Sequence, residues 1–330
     1  MAEFLTFDTD LTAVANAIRV KGGTSAQLIY PSGFVSAIQA IQTGITPKLV
    51  VTTTPGAAIT ATPAEGFKVV KGTAGADGMC TLELPKAGTW HVTAMANSVS
   101  NSQNIVIGTQ NMLLPLYHDT FANNTWEEII TVCRTGIAPD SWAVGDSKTM
   151  NIGGTAYQVD IIGKNHDEYA DGSGTAPLTF QLHDCYSEAK QMYSTNLSGL
   201  GWKNTDMRLT YLPAILALMP AEVQNGIRAV NKKTSEGGNS TTIETVSDTL
   251  FLLSEVEIFG TASSSVAGEG SQYDYYKAGN PKIKKREGVD EFWWERSSAS
   301  GGMFCRVRAN GQAGASNASN SLGVSFAFCF

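Results

Sequence analysis

No run of apolar residues in this 330-residue chain approaches the length that crosses a bilayer, so a helical membrane span is not expected. Basic residues are scarce: 23 Lys and Arg against 30 Asp and Glu leave a formal charge of −7. That deficit argues against general nucleic-acid binding and against insertion into or adhesion to an anionic membrane, because such proteins gain from a basic field and counterion release. The five cysteines, Cys80, Cys133, Cys185, Cys305 and Cys329, include no CxxC pair and no zinc-ligand spacing. They read as free, mostly buried thiols of a protein made in a reducing cytoplasm. The opening MAEFLTFDTDLTAVANAIRV carries acids where a signal peptide needs bases, so the usual secretion route is not expected. The four histidines, His91, His118, His166 and His183, stand in unrelated contexts with no nucleophile signature, so neither catalysis nor a cofactor is expected.

What the chain does have is glycine and proline, 33 and 11 residues, which favour turn-rich β structure, and a length that calls for two or three units. Residues 1–45 form the first. Asp10 can cap a helix in which Leu11, Val14, Ala15 and Ile18 recur at helical spacing and which Gly22-Gly23 ends. A second helix is expected from Pro31-Ser32, with Phe34, Ile38 and Ile41 on one face and a stop at Gly44. Two short amphipathic helices bury little alone, so this module packs on other copies, on a larger assembly or back onto its own chain.

Residues 46–109 change character. PKLVVTTTPGAAITATP, TLELPKAGTWHVTAMA and SQNIVIGT are short β-branched runs separated by Pro-Gly, Asp77-Gly78 and Ala87-Gly88 turns, the pattern of a small β-sandwich. Trp90 and Val92 alternate with Thr89, His91 and Thr93, a half-buried strand with nothing that carries chemistry.

Residues 110–330 read as mixed α and β. Thr125, with Glu128 three residues on, is a capping box for a helix bearing Trp126, Ile129, Ile130 and Cys133. KTMNIGGTAYQVDIIG reads as a hairpin about Gly153-Gly154. DCYSEAKQMY and MRLTYLPAILALM are helical in period, with Pro213 near a first turn or a kink and Pro220 opening a further helix. TLFLLSEVEIFG reads as a buried strand and a turn, which would place Glu255 and Glu257 on one strand face.

The terminal stretch, FWWERSSASGGMFCRVRANGQAGASNASNSLGVSFAFCF, sets bulky anchors around small polar residues. Trp293 and Trp294 can each bury roughly 200 Å², and Val324, Phe326, Phe328 and Phe330 read as a strand held in a core to its last residue. Between them MFCRVRA alternates, with Cys305 and Val307 on one side and Phe304, Arg306 and Arg308 on the other. A two-residue turn at Asn310-Gly311 would set Arg308 opposite Ala313 and Arg306 opposite Ala315. Backbone anchored at both ends lets the side chains between vary at little cost to folding, and such loops and hairpin faces are where binding resides. The candidate ligand-binding residues are therefore Ser298, Ser300, Met303, Phe304, Arg306, Arg308, Asn310, Gln312, Ala315 and Ser316.

Other features read as structure. DEYADGSG, at 167–174, has Leu178 where a calcium loop needs its twelfth-position glutamate, so it is a glycine-bearing surface turn and no metal is expected. His166-Asp167 and His183-Asp184 read as solvated turns or caps. The basic run KIKKREG, at 282–288, reads as a solvated loop, with contact to an acidic polymer as the alternative.

Three resemblances join these readings. DLTAVANAIRVKGGTSAQLIYPSGFVSAIQAI resembles the short N-terminal module of tail-associated proteins of phages and prophages of Gram-positive bacteria. DGMCTLELPKAGTWHVTA is similar to immunoglobulin-like and carboxypeptidase-regulatory-like spacers. NHDEYADGSG, GWKNTDMRL, DTLFLLSEVEIFG, GEGSQYDYY, FWWERSS and the closing GVSFAFCF resemble, in that order, an uncharacterised bacterial and phage domain family related to the C-type lectin fold of formylglycine-generating enzyme and tropism-determining tail proteins. That family usually follows the double tryptophan with Leu-Arg-Ser-Pro, where Glu295 and Ser298 stand first and last here, and has a small residue and proline where Ser325-Phe326 stand. In some of its members the C-terminal segment is diversified by retroelements that mutate adenines, and Asn310, Asn317 and Asn320 fit that trace.

The resemblances imply a multidomain α+β chain: a helical attachment module, an immunoglobulin-like β-sandwich spacer and a C-type-lectin-like domain. They imply a tail-tip protein of the virion that binds a host cell-surface protein or glycan, contacts other tail or baseplate proteins, and works as a homo-oligomer, a trimer favoured. The alternatives are a structural baseplate or fibre subunit without host contact and, disfavoured by the missing export signal, a bacterial adhesin.

Overall fold

A computed structural model describes residues 8–22, 25, 27–28, 37, 47–64, 66, 68–107, 111–238 and 240–330. The chain is mixed α and β, with several small sheets and few helices. It divides into two compact units, Met1–Tyr117 and His118–Phe330.

In the first unit, α1 (Asp8–Gly22) starts two residues before Asp10, which is therefore a helix residue and not its cap. Ala15 and Ile18 are buried against Leu11, Leu28 and Ala37, whereas Val14 is exposed. Arg19 and Lys21 lie in the last turn, where cations offset the negative end of the helix dipole. The expected second helix falls largely outside the described residues.

Seven strands follow: β1 (Lys48–Thr52), β2 (Ala58–Pro63), β3 (Val70–Thr73), β4 (Met79–Glu83), β5 (Gly88–Ala96), β6 (Val99–Ile107) and β7 (Asn111–Leu113). They form two sheets, β4-β1-β7 and β3-β2-β5-β6, whose inner faces share one core of Leu49, Val51, Ile59, Leu82, Trp90 and Val92. Thr89 and His91 point outward, so the alternation read from the sequence marks this face correctly. β7 pairs in parallel with β1, so the last strand of this layer lies beyond residue 109. Gly78, at φ +73°, closes the Asp77 turn so tightly that a Cβ there would meet the Thr53 carbonyl oxygen at 2.4 Å.

The second unit is built on a five-stranded sheet ordered β13-β19-β10-β9-β8, from β8 (Ser147–Ile152), β9 (Thr155–Lys164), β10 (Leu178–Leu182), β13 (Leu250–Phe251) and β19 (Ala327–Cys329). Gly153 and Gly154, at φ +58° and +88°, make the two-residue β8–β9 turn, which requires left-handed backbone at both positions. The terminal strand lies between β13 and β10 and is buried on both faces. Phe328 and Phe330 stack and tilt against Phe180, which also meets Phe121 and Trp126. The last residue is thus pinned in the core, and the Tyr169 hydroxyl donates to its carbonyl at 2.8 Å.

Trp126 belongs to α2 (Trp126–Cys133). Its capping box is present: the Glu128 N–H donates to Thr125 Oγ1 and the Glu128 carboxylate accepts from the Thr125 N–H. Pro213 sits in the first turn of α3 (Leu212–Leu216), directly after a wide turn, Met207–Tyr211, and Pro220 precedes α4 (Ala221–Gly226).

Two helical expectations fail in opposite directions. DCYSEAKQMY is not a helix: the Cys185, Tyr186, Lys190 and Met192 N–H groups donate to carbonyls of Lys285, Val324, Leu322 and Ala318. Distant backbone satisfies these donors, and the helical period is overridden. Conversely, after the two residues of β13 the chain turns into α5 (Glu255–Phe259), capped by Ser254 with Glu257 at the third position and ended by Gly260 in the left-handed region. Glu255 and Glu257 therefore do not share a strand face.

Two ladders complete the unit, β11 (Val230–Ser235) with β12 (Ile243–Asp248) and β14 (Lys284–Arg286) with β15 (Val289–Glu291), together with α6 (Asp274–Lys277). The sheet β16-β17-β18, from Trp293–Ser298, Met303–Val307 and Ala313–Asn317, carries the candidate surface.

Candidate functional site: the terminal hairpin and the ionic core beneath it

On a strand, successive side chains face opposite sides, so two adjacent buried tryptophans require cover on both faces. Trp293 and Trp294 have it, and each indole N–H is satisfied, by the Lys282 carbonyl at 2.9 Å and the Lys190 carbonyl at 2.8 Å. All six residues of β16 are buried, and its pairing with β17 breaks between Trp294 and Ser298.

The β17–β18 hairpin differs from the expected one by a single residue. Val307 stands opposite Ala313, Arg306 opposite Gly314 and Cys305 opposite Ala315, because the loop has three residues. Arg308 and Gln312 close it, the Arg308 N–H donating to the Gln312 carbonyl, and the Gly311 N–H donates back to the Arg308 carbonyl, both at 2.7 Å. Only Gly311, at φ +81°, is left-handed, so the turn is an ordinary one followed by a glycine bulge, whereas the expected turn needs Asn310 left-handed too.

This register sorts the ten candidate residues. Ser300, Arg308, Asn310 and Gln312 are exposed, and Met303, Arg306 and Ala315 are half-buried. Ser298, Phe304 and Ser316 are buried, at 1, 0 and 7% exposure, and leave the surface set. Phe304 packs at 6.0 Å from the Tyr193 ring, on the extended segment that was expected to be a helix, and Ser316 stands opposite Phe304 under the same cover. Asn317, opposite Met303, is exposed and joins the surface.

Arg306 lies over the Phe292 ring at 4.2 Å, and its Nε is buried without an acceptor. Burial and then the neighbouring Arg308 push its pKa down. Glu291, beside Phe292, is committed to Arg286 at 2.8 Å.

Beneath the hairpin lies a buried ionic network that the sequence reading missed. Lys232 Nζ is 2.6 Å from Asp167, 2.8 Å from Glu257 and 3.0 Å from the Tyr273 hydroxyl. Arg296 holds Glu257 with both terminal nitrogens and also donates to the Lys233, Leu252 and Glu269 carbonyls. Burial would raise the Asp167 pKa, but Lys232 outweighs it and holds the carboxyl at about 2. Burial would likewise depress Lys232, and Asp167 and Glu257 keep it above its ordinary value. Two cations face two anions, so the network is a self-neutralised cross-link of a loop, β11, α5 and β16. A cleft of ≈ 440 Å³ opens beside it, lined by His166, Glu168 and Lys233, and the network residues that line it, Asp167, Lys232 and Glu257, are paired with one another. The signals that could have revealed this network are the Ser254-x-x-Glu257 capping box and the single charged residues inside strand patterns.

Glu295 differs. It is wholly buried, neither carboxylate oxygen has a hydrogen-bond partner among the described residues, and burial, then Glu255 and Glu269, push its pKa well above the carboxylate range. Glu255 itself is saturated by hydroxyl and backbone donors from Ser263, Ser264 and Ser265.

The remaining sequence candidates are also placed. Asp167 is buried rather than solvated, and His166 stacks on Tyr273 at 3.9 Å. His183 pairs through Nδ1 with Asp160 at 2.7 Å, while Asp184 accepts the Lys285 N–H. Ser147 also donates to Asp160, so the acid stands between serine and histidine, and the imidazole is not placed to activate the hydroxyl. The run at 282–288 is not simply a solvated loop: it contains strand β14 and the turn to β15, and Lys284 is buried, donating to the Leu182 and His183 carbonyls at 2.6 and 2.7 Å; burial lowers its pKa to about 8. Among the described residues no group of three or more His, Cys, Asp or Glu side chains is arranged to hold a metal ion, and no helix is long and apolar enough to cross a membrane.

Residues 179–330, less than half of the chain, match a protein family described as a domain of unknown function (DUF6273). The match takes in Lys232, Glu257, Arg296 and the whole hairpin, but not Asp167. No curated protein and no solved structure matches the chain.

Proposed function

We propose that this chain is a phage or prophage tail-tip receptor-binding protein, in which an immunoglobulin-like spacer follows a helical attachment module and a C-type-lectin-like domain recognises a host surface protein or glycan. One observation carries the reading: six of the ten candidate side chains reach the surface from a hairpin whose strand neighbour, β16, is buried at every residue, and Ser300 does so from the turn that joins them. A rigid frame under exposed side chains lowers the ordering cost of binding. The ordered motifs that resemble the lectin-like family, and the N-terminal string that resembles tail-associated modules, supply the context. A single shallow site is weak, so the protein works as a homo-oligomer, a trimer favoured, held among other tail or baseplate proteins of the virion.

The test is adhesion of the labelled full-length chain to a panel of bacterial cells. Wild type should decorate at least one strain, and Met303→Ala/Gln312→Ala/Asn317→Ala, which keeps both arginines, should lose most of that signal. Decoration of no strain, or equal decoration by the variant, would favour the structural subunit. Retroelement diversification is part of the proposal, and it predicts variation at side chains that reach the surface. Sibling genomes should vary at Ser300, Met303, Asn310, Gln312 and Asn317 more than at the buried Ser298, Phe304 and Ser316. Variation no greater across 297–316 than across 240–260 would remove it.

A further inference from the structure

Arg306 in β17 and Arg308, which closes the hairpin loop just beyond it, stand two residues apart, and neither guanidinium has a hydrogen-bond or ion-pair partner among the described residues. Four other arginines of the unit, Arg208, Arg228, Arg286 and Arg296, are paired with carboxylates, and Arg134 is the further one with no ion pair among the described residues. Like charges placed side by side repel. Two features nevertheless hold them there. Phe292 supports the Arg306 guanidinium from below. Gly314, directly opposite Arg306, leaves the space that Arg308 uses: a Cβ on Gly314 would lie 2.8 Å from Arg308 Nε and 3.4 Å from its Cγ. The φ of Gly314 is not in the left-handed region, so a side chain there is barred by no backbone strain but would move the Arg308 side chain off its place.

An unpaired guanidinium pair matches oxyanions, because each planar fork donates in parallel to two oxygens. Beside it, in the loop and its closing position, stand Asn310 and Gln312, exposed amides suited to sugar hydroxyls. Phe292, the aromatic ring at the pair, is covered by Arg306 and does not offer a protein partner a free apolar anchor.

We propose that Arg306 and Arg308, seated by Phe292 and Gly314, bind the carboxylate or phosphate groups of an acidic surface polysaccharide. This rests on the recognition reading above and names its ligand class. Gly314 acts as a positioning residue.

The test is calorimetric titration of the full-length chain with polygalacturonate, with inorganic polyphosphate and with neutral dextran, at low and high salt. Binding of either polyanion, weakened by salt and absent for dextran, is expected, and the polyanion that binds tells carboxylate from phosphate. Arg306→Ala/Arg308→Ala should weaken binding by at least about tenfold, one arginine contact being worth ~1.4 kcal/mol or more. Arg308→Gln, at an exposed position, should weaken it with the fold intact by circular dichroism, and Gly314→Ala should do so by displacing Arg308. Binding of neither polyanion, or undiminished binding by the folded Arg308→Gln and double-alanine chains, would overturn the proposal. If cells are still decorated by the double-arginine variant but not by Met303→Ala/Gln312→Ala/Asn317→Ala, the anion site fails while the recognition reading stands.

Discussion

Glu295 lies in the middle of a strand buried at every residue, yet no donor among the described residues meets its carboxylate. Because the folded chain keeps a proton that the unfolded chain releases above the ordinary value of 4.5, the stability tied to this proton is complete below that pH and declines as pH rises toward the folded pKa. Glu295→Leu should therefore stabilise the protein by about 1–3 kcal/mol near neutral pH and flatten the fall in melting temperature between about pH 5 and about pH 8. A variant no more stable than wild type at about pH 8 would mean that the carboxyl has a partner in solution. Lys232 is the opposite case, a buried charge with every donor used. Lys232→Met leaves Asp167 buried without its cation, and urea denaturation should show a loss of about 3–5 kcal/mol.

At the scale of the element, the hairpin turn decides which side chains face out. Asn310-Gly311 is legible from sequence as a turn, but two turn types fit it, and they differ by one residue in register. A one-residue slip exchanges the faces of a strand relative to its partner. With left-handed backbone at Gly311 alone, Gly311→Ala should cost about 1–2 kcal/mol and also press on Ile283, 3.3 Å from the added Cβ. Asn310→Ala should cost less than half of that, whereas equal costs in chemical denaturation would restore the two-residue turn. α2 was legible because a capping box and a buried face are local properties. DCYSEAKQMY was not, because its backbone partners lie roughly a hundred residues or more away in sequence, on β14 and the terminal segment. SEVEIFG carried a legible capping box that its β-branched and aromatic residues concealed.

For the whole molecule, each unit carries its own core, the first around Trp90 and the second around Phe180 and Phe328. Separate cores predict two resolved calorimetric transitions, whereas one sharp transition would show that the units unfold together. Alternation, turn residues, caps and bulky anchors are written in neighbouring residues, and so the sequence alone determined the strand-rich first unit, the capped α2, the β8–β9 hairpin and the burial of the double tryptophan and terminal aromatics. Which ionisable groups are buried together, which of ten candidate side chains meet solvent, and that two neighbouring arginines stand without a carboxylate depend on contacts between segments distant in the chain. Register and long-range charge pairing have no local signature, and only the tertiary structure decided them.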